Sequence, residues 1–180
     1  MKILRENSAA IVIDIQEKLF PHMQEKDELL QNCLKLIEGI RLLEVPIIVT
    51  QQYTKGLGMT VTPVKEKLPD SDYIEKISFS CFDEPRVREK LESINKKYII
   101  ICGIETHVCV LQTSIDLIAG GFIPVVVEDC VSSRNLKDKR IALERIRQEG
   151  GIITTMESIL FELTRRAGDE VFKKISGIIK

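Results

Sequence analysis

Three residues of this sequence could do chemistry together, and each lies at or just beyond a short apolar run. Asp14 ends the run in IVIDIQ, Lys76 lies in IEKISFSCF, and Cys109 lies in YIIICGIETHVCV. A carboxylate can accept a proton, an ammonium can stabilise negative charge, and a thiolate is a strong nucleophile. Held close together, these groups would let the thiol attack a carbonyl and form a covalent intermediate.

Cys109 carries the strongest signal of the three. Gly103 follows a buried apolar run, and Thr106 is the predicted N-cap of an amphipathic helix, which places Cys109 at the third helical position. Unpaired amides and the helix dipole stabilise an anion there, so we expect a lowered pKa for this thiol. The same amides could hold an oxyanion. Most free cysteines are small buried apolar residues, and that alternative stays open for Cys109.

Asp14 and Lys76 each have an ordinary structural explanation as well. Asp14 could cap a following helix whose first turn holds Gln16 and Glu17. A lone lysine at a strand end is usually solvated. A carboxylate that closes a buried strand is costly unless it is paired or has a use, so a functional role for Asp14 stands beside the capping role.

The elements that would position these residues alternate between strand and helix. Short, uninterrupted Ile/Val-rich runs predict strands buried on both faces. The runs are Ala9–Ile13, Pro46–Thr50, Tyr98–Cys102, Ile123–Val127 and Gly151–Thr154, with a weaker one at Tyr73–Ile77. Segments with helical spacing lie between them, a pattern that predicts a largely parallel sheet with helices on both faces. Ligands bind at the carboxyl ends of such strands, where the three candidate residues lie.

Boundary residues mark several of these helices. An apolar stripe runs from Leu29 to Leu43, Pro85 begins a second helix, and glycine pairs at 120–121 and 150–151 end two others. A terminal helix is predicted from Gly168 to Ile179.

Composition excludes several classes of protein. The 180 residues include 26 basic and 27 acidic side chains, so the net charge is −1, and 44% of residues are hydrophobic. The chain is too apolar to be intrinsically disordered, and it lacks the basic excess that nucleic-acid binding requires. Five cysteines without paired spacing indicate reduced thiols in a cytoplasmic protein. With no apolar run long enough to span a membrane, we predict one domain over residues 1–180 and no membrane partner.

Together the motifs resemble the isochorismatase-like cysteine hydrolases. The matching pieces are VIDIQ, K-x-x-x-S-x-F, GIETHVCV, T-x-x-D-x-x-x-x-G and VVVEDCVSS, in that order along nearly the whole chain. The resemblance implies a three-layer α-β-α fold with a six-stranded parallel sheet in a Rossmann-like order. It makes Asp14 the general base, Lys76 the stabilising cation and Cys109 the nucleophile. It also implies a cis peptide at Ile104–Glu105 and gives the Glu105 and Cys109 amides the oxyanion role.

Departures from the family indicate a subgroup. Nicotinamidases carry an Asp-x-His pair after the second strand and a further His, which together bind a metal. Here that place reads TQQYTKGLGMTV, and the only histidines are His22 and His107, so we predict no catalytic metal and no cofactor. The QQY-x-x-GLG-x-T stretch is similar to isochorismatase-domain-containing proteins, whose substrates are poorly defined. True isochorismatases do not depend on a cysteine at this position, so Cys109 favours acyl transfer.

The expected function is therefore hydrolysis of an amide-type C–N bond in a small molecule through a Cys109 thioester. The alternative is a catalytically weak or idle member that acts as a scaffold or interaction protein. Candidate pocket walls are Phe20, Tyr53, Phe82 and His107. The resemblance further implies a homodimer or a larger homo-oligomer.

Overall fold

A computed structural model describes residues 2–180 and contains one six-stranded sheet. Its strands are β1 (Ser8–Ile13), β2 (Ile47–Gln52), β3 (Tyr73–Lys76), β4 (Tyr98–Ile104), β5 (Ile123–Ser132) and β6 (Ile152–Thr154). The spatial order is β3-β2-β1-β4-β5-β6, and every adjacent pair is parallel. This is the Rossmann-like order, and the predicted fold class is confirmed.

Helices cover both faces of the sheet. They are α1 (Lys26–Leu42), α2 (Thr54–Leu57), α3 (Thr62–Lys67), α4 (Pro85–Ile94), α5 (Leu111–Ala119), α6 (Leu136–Gln148), α7 (Met156–Thr164) and α8 (Glu170–Ile179). One face packs against α1, α3, α7 and α8, and the other packs against α4, α5 and α6. The chain therefore has the three layers that the resemblance implies.

The two cores are separated by the alternating side chains of the central strands. In β1, Ala10 and Val12 belong to the core beneath α1, whereas Ile11 and Ile13 belong to the core beneath α5. All residues of β1 are buried. Burial on both faces explains why the strand has an unbroken apolar sequence.

Several parts of the chain differ from the sequence prediction. Strand β5 continues to Ser132, five residues beyond the predicted end at Val127, and its register with β4 shifts between Ile101 and Gly103. The polar pair Glu128–Asp129 interrupts the apolar run, which hides this continuation. The sequence pattern did not predict the helix α7. Thr155 caps this helix, and Asp129 Oδ1 accepts a hydrogen bond from its first amide.

The turn that carries the candidate nucleophile begins differently from the prediction. Glu105, in extended conformation, occupies the cap position, and residues Thr106–Val110 form a π-helical turn that leads into α5. The assignment of Thr106 as the N-cap is therefore wrong, and Cys109 is the fourth residue of the turn. Val108 N and Val110 N both donate to the Glu105 carbonyl, which replaces a capping side chain. The peptide bond between Ile104 and Glu105 is cis.

Gly103 brings β4 close to β1, and we expect Gly103→Ala to prevent stable folding. Its φ is +124°, and a Cβ would overlap the Ile13 carbonyl oxygen. Strain and overpacking together predict a loss of about 4 kcal/mol or more in unfolding free energy. Gly121→Ala is the matched control, because its φ is +85° but a Cβ there meets nothing within 4 Å, so about 1 kcal/mol is expected. Equal urea midpoints for the two variants would contradict this account.

Candidate active site

The candidate site lies at the carboxyl edge of the sheet, where the strand order reverses. Strands β1 and β4 are neighbours at the centre of the sheet, yet their chain connections run in opposite directions along it. Asp14 follows β1 directly, and Cys109 follows β4 within the π-helical turn. A crevice opens at such a switch point because the loops after the two strands diverge.

Asp14 leaves the sheet by a change of backbone conformation. Its φ of +50° is left-handed, which ends β1 and turns the chain away. Its amide still donates to the Thr50 carbonyl, and its Oδ1 accepts a hydrogen bond of 2.8 Å from Thr50 Oγ1. Thr50 thus holds the carboxylate at the end of the strand in one orientation.

Lys76 reaches the other two residues from the edge of the sheet. It is the last residue of β3, two strands away from β1, a distance of about 10 Å given the usual spacing of strands. Its Nζ lies 2.7 Å from Asp14 Oδ2 and 3.6 Å from Cys109 Sγ. The side chains of Lys76 and Asp14 are 0% exposed, and Cys109 is 5% exposed. The three predicted residues therefore meet in one buried cluster.

The electrostatics of the thiol differ from the expectation based on its helix position. Burial and the negative charge of Asp14 raise the pKa of Cys109 well above its ordinary value, and the nearby Lys76 only partly offsets them. The predicted lowering of this pKa is wrong for the resting site. A neutral thiol beside an Asp–Lys ion pair leaves the cluster without net charge, which is the least costly state to bury.

Lys76 keeps its charge in this setting. Burial lowers the pKa of the ammonium, but the neighbouring Cys81, Asp14 and Cys109 together outweigh that effect, so the pKa of Lys76 is raised. Cys81 is a second buried thiol beside the cluster, 3.6 Å from Thr50 Oγ1. Burial and the charge of Asp14 raise the pKa of Cys81 to about 11.

Side chains of the nucleophile turn fasten it to the loop that follows β5. Glu105 Oε2 accepts hydrogen bonds of 3.1 Å from both the amide and the Nε of Arg134. His107 Nδ1 lies 2.9 Å from Ser133 Oγ. Thr106 Oγ1 is buried and has no partner among the residues that the structure describes. His107, one of the predicted pocket residues, therefore helps to hold the turn that carries the nucleophile against the loop after β5.

The structure places the other predicted pocket residues at different distances from the triad. Tyr53 is 47% exposed, and its amide donates to the Lys76 carbonyl, so it stands at the rim of the site. Phe20 lies in a 3₁₀ turn and packs against the core beneath α1. The ring of Phe82 packs against Phe122 and Gly120, at the opposite end of α5 from Cys109. Phe82 therefore lies away from the thiol.

Sequence reasoning missed a rim segment and two polar residues. Ile77 and Phe79 are 69% and 54% exposed, while the carbonyls of residues 78 and 79 accept hydrogen bonds from Lys76 Nζ. Thr50 contacts Asp14, and Gln52 contacts Lys76. Their only sequence signal was polarity at the end of a buried strand, the same signal that indicated Asp14.

The described residues also show whether any group of side chains could bind a metal ion and whether any helix could span a membrane. Within residues 2–180, no group of three or more His, Cys, Asp or Glu side chains is arranged to hold a metal ion. Nor does any helix of that described part have the length and apolar character needed to cross a bilayer.

Fold and cluster together define a doubly wound α/β protein with a cysteine-centred site at its topological switch point. Residues 8–158 match the Isochorismatase domain, and the chain belongs to that family. Isochorismatase family protein 1B of Dictyostelium discoideum is 40% identical over 99% of this chain and 89% of its own length. A secreted isochorismatase effector, Isc1 of Phytophthora sojae, is 38% identical over 99% of this chain and 87% of its own.

Solved structures of related proteins agree closely with this fold. One named as the MAR1 ribonuclease of Caenorhabditis elegans is 37% identical with a TM-score of 0.94, over 99% of this chain and 92% of that one. YcaC from Pseudomonas aeruginosa was solved with hexane-2,5-diol and covalent acrylamide. It is 26% identical with a TM-score of 0.92, over 98% of this chain and 91% of that one.

Proposed function

We propose that this protein is a hydrolase that cleaves an amide-type C–N bond of a small molecule through a thioester on Cys109. The observation that carries the proposal is the buried cluster in which Lys76 Nζ lies 2.7 Å from the Asp14 carboxylate and 3.6 Å from the Cys109 sulfur. A base, a cation and a nucleophile in contact, shielded from water, are the groups that acyl transfer requires.

The first half of the reaction makes the acyl-enzyme. Asp14 takes the Cys109 proton as the sulfur attacks the carbonyl carbon, and Lys76 stays beside the negative charge that passes from the carboxylate to the substrate. Because the proton moves within the cluster as the C–S bond forms, the net charge of the site does not change, and no free thiolate has to accumulate at the high resting pKa of the thiol. The amides of Glu105 and Cys109 would hold the oxyanion. Asp14 then returns the proton to the leaving nitrogen.

The second half releases the acid. Asp14 deprotonates a water molecule that attacks the thioester carbonyl, the C–S bond breaks, and the thiol regains a proton. The products are a carboxylic acid and ammonia or an amine, and one water is consumed. The covalent acrylamide in the Pseudomonas relative supports the choice of electrophiles as probes.

RNA hydrolysis is the activity to compare with this one, because three of the similar structures carry a ribonuclease name. Cleavage of RNA would need a cationic surface for phosphates, whereas this chain has a net charge of −1. The buried thiol also has no role in phosphoryl transfer to a 2′-hydroxyl. Amide hydrolysis uses every group of the cluster, and we therefore prefer it.

We expect Cys109→Ala to abolish amide hydrolysis. Removal of the nucleophile leaves only the binding and oxyanion contributions, so the rate on a panel of small amides should fall at least about a thousandfold. The measurement is ammonia or amine release, with intact-mass spectrometry to capture the acyl-enzyme of slow substrates. An RNA substrate is assayed in parallel.

Cys102→Ala is the matched control, because Cys102 is also buried but lies in the core on the other face of the sheet. It should retain activity. Full activity of Cys109→Ala on amides would contradict the proposal, as would cleavage of RNA alone by the wild type. If the protein cleaves none of these substrates but binds a protein partner stably, the scaffold alternative is favoured.

Assembly and location stay predictions. A small-molecule substrate, a homodimer or larger homo-oligomer and a cytoplasmic location are our proposals, as is the single domain over residues 1–180. The name of the Phytophthora relative describes a secreted protein. Light scattering of the purified chain measures its oligomeric state directly.

A further inference from the structure

We infer that Gln52 is the residue that positions the Lys76 ammonium for this reaction, a role that rests on the function proposed above. Gln52 is the last residue of β2 and pairs with Lys76 in the sheet register, so both side chains leave the same face. Gln52 Oε1 accepts a hydrogen bond of 2.6 Å from Lys76 Nζ. Gln52 touches no other member of the triad in the described contacts and acts through the lysine.

The orientation of the Gln52 amide is fixed by its two partners. Its Nε2 donates to the Ile77 carbonyl at 2.7 Å, while Oε1 faces the ammonium. The reverse orientation would place the NH₂ group against the ammonium and the carbonyl oxygen against another carbonyl. Gln52 therefore links the lysine side chain to the segment that begins directly after it.

Gln16 holds the backbone of Gln52 where the sheet ends. Strand β1 stops at Ile13, so β2 loses its neighbour on that side before it reaches Gln52. The Gln16 side chain takes the place of the missing strand. Its Oε1 accepts from the Gln52 amide at 2.6 Å, and its Nε2 donates to the carbonyls of Gln52 and Gly58 at 2.9 and 2.7 Å. These hydrogen bonds hold Gln52 in place although it lies beyond the last residue of β2 that pairs with β1.

The oxygens around Lys76 outnumber its protons. The ammonium has three N–H donors, and four oxygens lie within reach: Asp14 Oδ2 at 2.7 Å, Gln52 Oε1 at 2.6 Å, and the carbonyls of Ser78 and Phe79 at 3.2 and 3.0 Å. Gln52 therefore gives the ammonium a second close acceptor besides Asp14. The ammonium is thereby kept 3.6 Å from the sulfur, where its charge is needed.

The neutrality of Gln52 matters as much as its oxygen. A carboxylate at this position would offer the same hydrogen bond but would add a second negative charge beside the ammonium. That charge would offset the field of Lys76 and disfavour the Cys109 thiolate. A neutral amide orders the ammonium and leaves its charge available to the sulfur.

The test measures the rate at which iodoacetamide modifies Cys109 from pH 5 to pH 9, followed by peptide mass spectrometry. In Gln52→Glu, the introduced carboxyl group can, while protonated, still accept from Lys76 and donate to Ile77, so the rate should match the wild type at low pH. Once that carboxyl ionises, the rate should fall at least about tenfold below wild type, which corresponds to a shift of about one unit in the thiol pKa. The ratio of wild-type to variant rates therefore rises with pH.

Two other variants separate positioning from a general structural role. Gln51→Glu adds the same charge one residue away, on the opposite face of the sheet, where Gln51 Oε1 accepts from the Thr60 amide; its rate ratio should stay near one at every pH. Gln52→Met removes the acceptor without adding charge, so its rate should be about tenfold lower at every pH. Melting temperatures establish that each variant is folded.

The outcomes distinguish this inference from the proposed function. A reactive wild-type Cys109 with a rate ratio near one at every pH for Gln52→Glu, or with wild-type rates for a folded Gln52→Met, overturns the role of Gln52 alone. Preferential modification of another cysteine in the wild type overturns the proposed function and the role of Gln52 with it. The pH-dependent ratio, confined to position 52, supports the inference.

Discussion

Lys76→Met is expected to eliminate turnover and to destabilise the fold at the same time. The methionine side chain has nearly the same length, but it leaves the Asp14 carboxylate buried without its cation, which is 2.7 Å away in the native chain. Removing one member of a buried ion pair costs about 3–5 kcal/mol of unfolding free energy. Loss of the cation beside the sulfur should lower the rate of amide hydrolysis by at least about a thousandfold.

A double variant separates these two effects. Asp14→Asn together with Lys76→Met replaces the ion pair by neutral side chains of similar size, so stability should return to within about 1–2 kcal/mol of the native chain. Activity should stay lost. Lys137→Met, on the exposed surface of α6, controls for the substitution itself and should change neither property. Urea unfolding and amide hydrolysis measure the two quantities, and an active Lys76→Met would contradict the assigned role.

The sheet could be predicted from sequence because its strands are buried on both faces. Runs such as Ala9–Ile13 have no polar interruption, and burial on both sides demands such runs. The second half of β5 escaped prediction because Glu128 and Asp129 lie within it. Asp129 is tolerated there because its Oδ1 accepts a hydrogen bond from the first amide of α7. That contact involves residues 27 positions apart, and no local pattern reveals it.

The candidate site was predictable as a set of residues but not as a geometry. Position after a buried strand indicated Asp14, and position at a helix start indicated Cys109. Lys76, on an edge strand, was joined to them through the family resemblance, since its reach across β2 depends on strand order.

The direction of the thiol pKa was mispredicted for a related reason. A helix start stabilises an anion, and that local effect is visible in the sequence. Burial and the Asp14 charge act from outside the helix, and they outweigh it. Polar partners such as Gln52 were missed because a glutamine at a strand end has many uses, and only its contacts identify this one.

Asp14→Asn is expected to separate the reactivity of the thiol from catalysis. The negative charge of Asp14 is, after burial, the largest influence that raises the pKa of Cys109, whereas Lys76 lowers it. With the charge removed and the ammonium retained, the pKa of the thiol should fall. More thiolate is then present at a given pH, so modification by iodoacetamide between pH 7 and 9 should be at least as fast as in the wild type. Amide hydrolysis should nevertheless fall at least about a thousandfold, because no group protonates the leaving nitrogen or activates water.

This opposite behaviour distinguishes a general base from a residue that only holds the site together. A purely structural loss at Asp14 would lower the rates of thiol modification and of amide hydrolysis together. Asp129→Asn is the matched control, since Asp129 is a half-buried carboxylate at the same edge of the sheet that accepts from a helix amide. It should leave the reactivity of Cys109 unchanged. If Asp14→Asn hydrolyses amides at the native rate, Asp14 is not the base; if its thiol becomes unreactive, the charge of Asp14 does not set the thiol pKa.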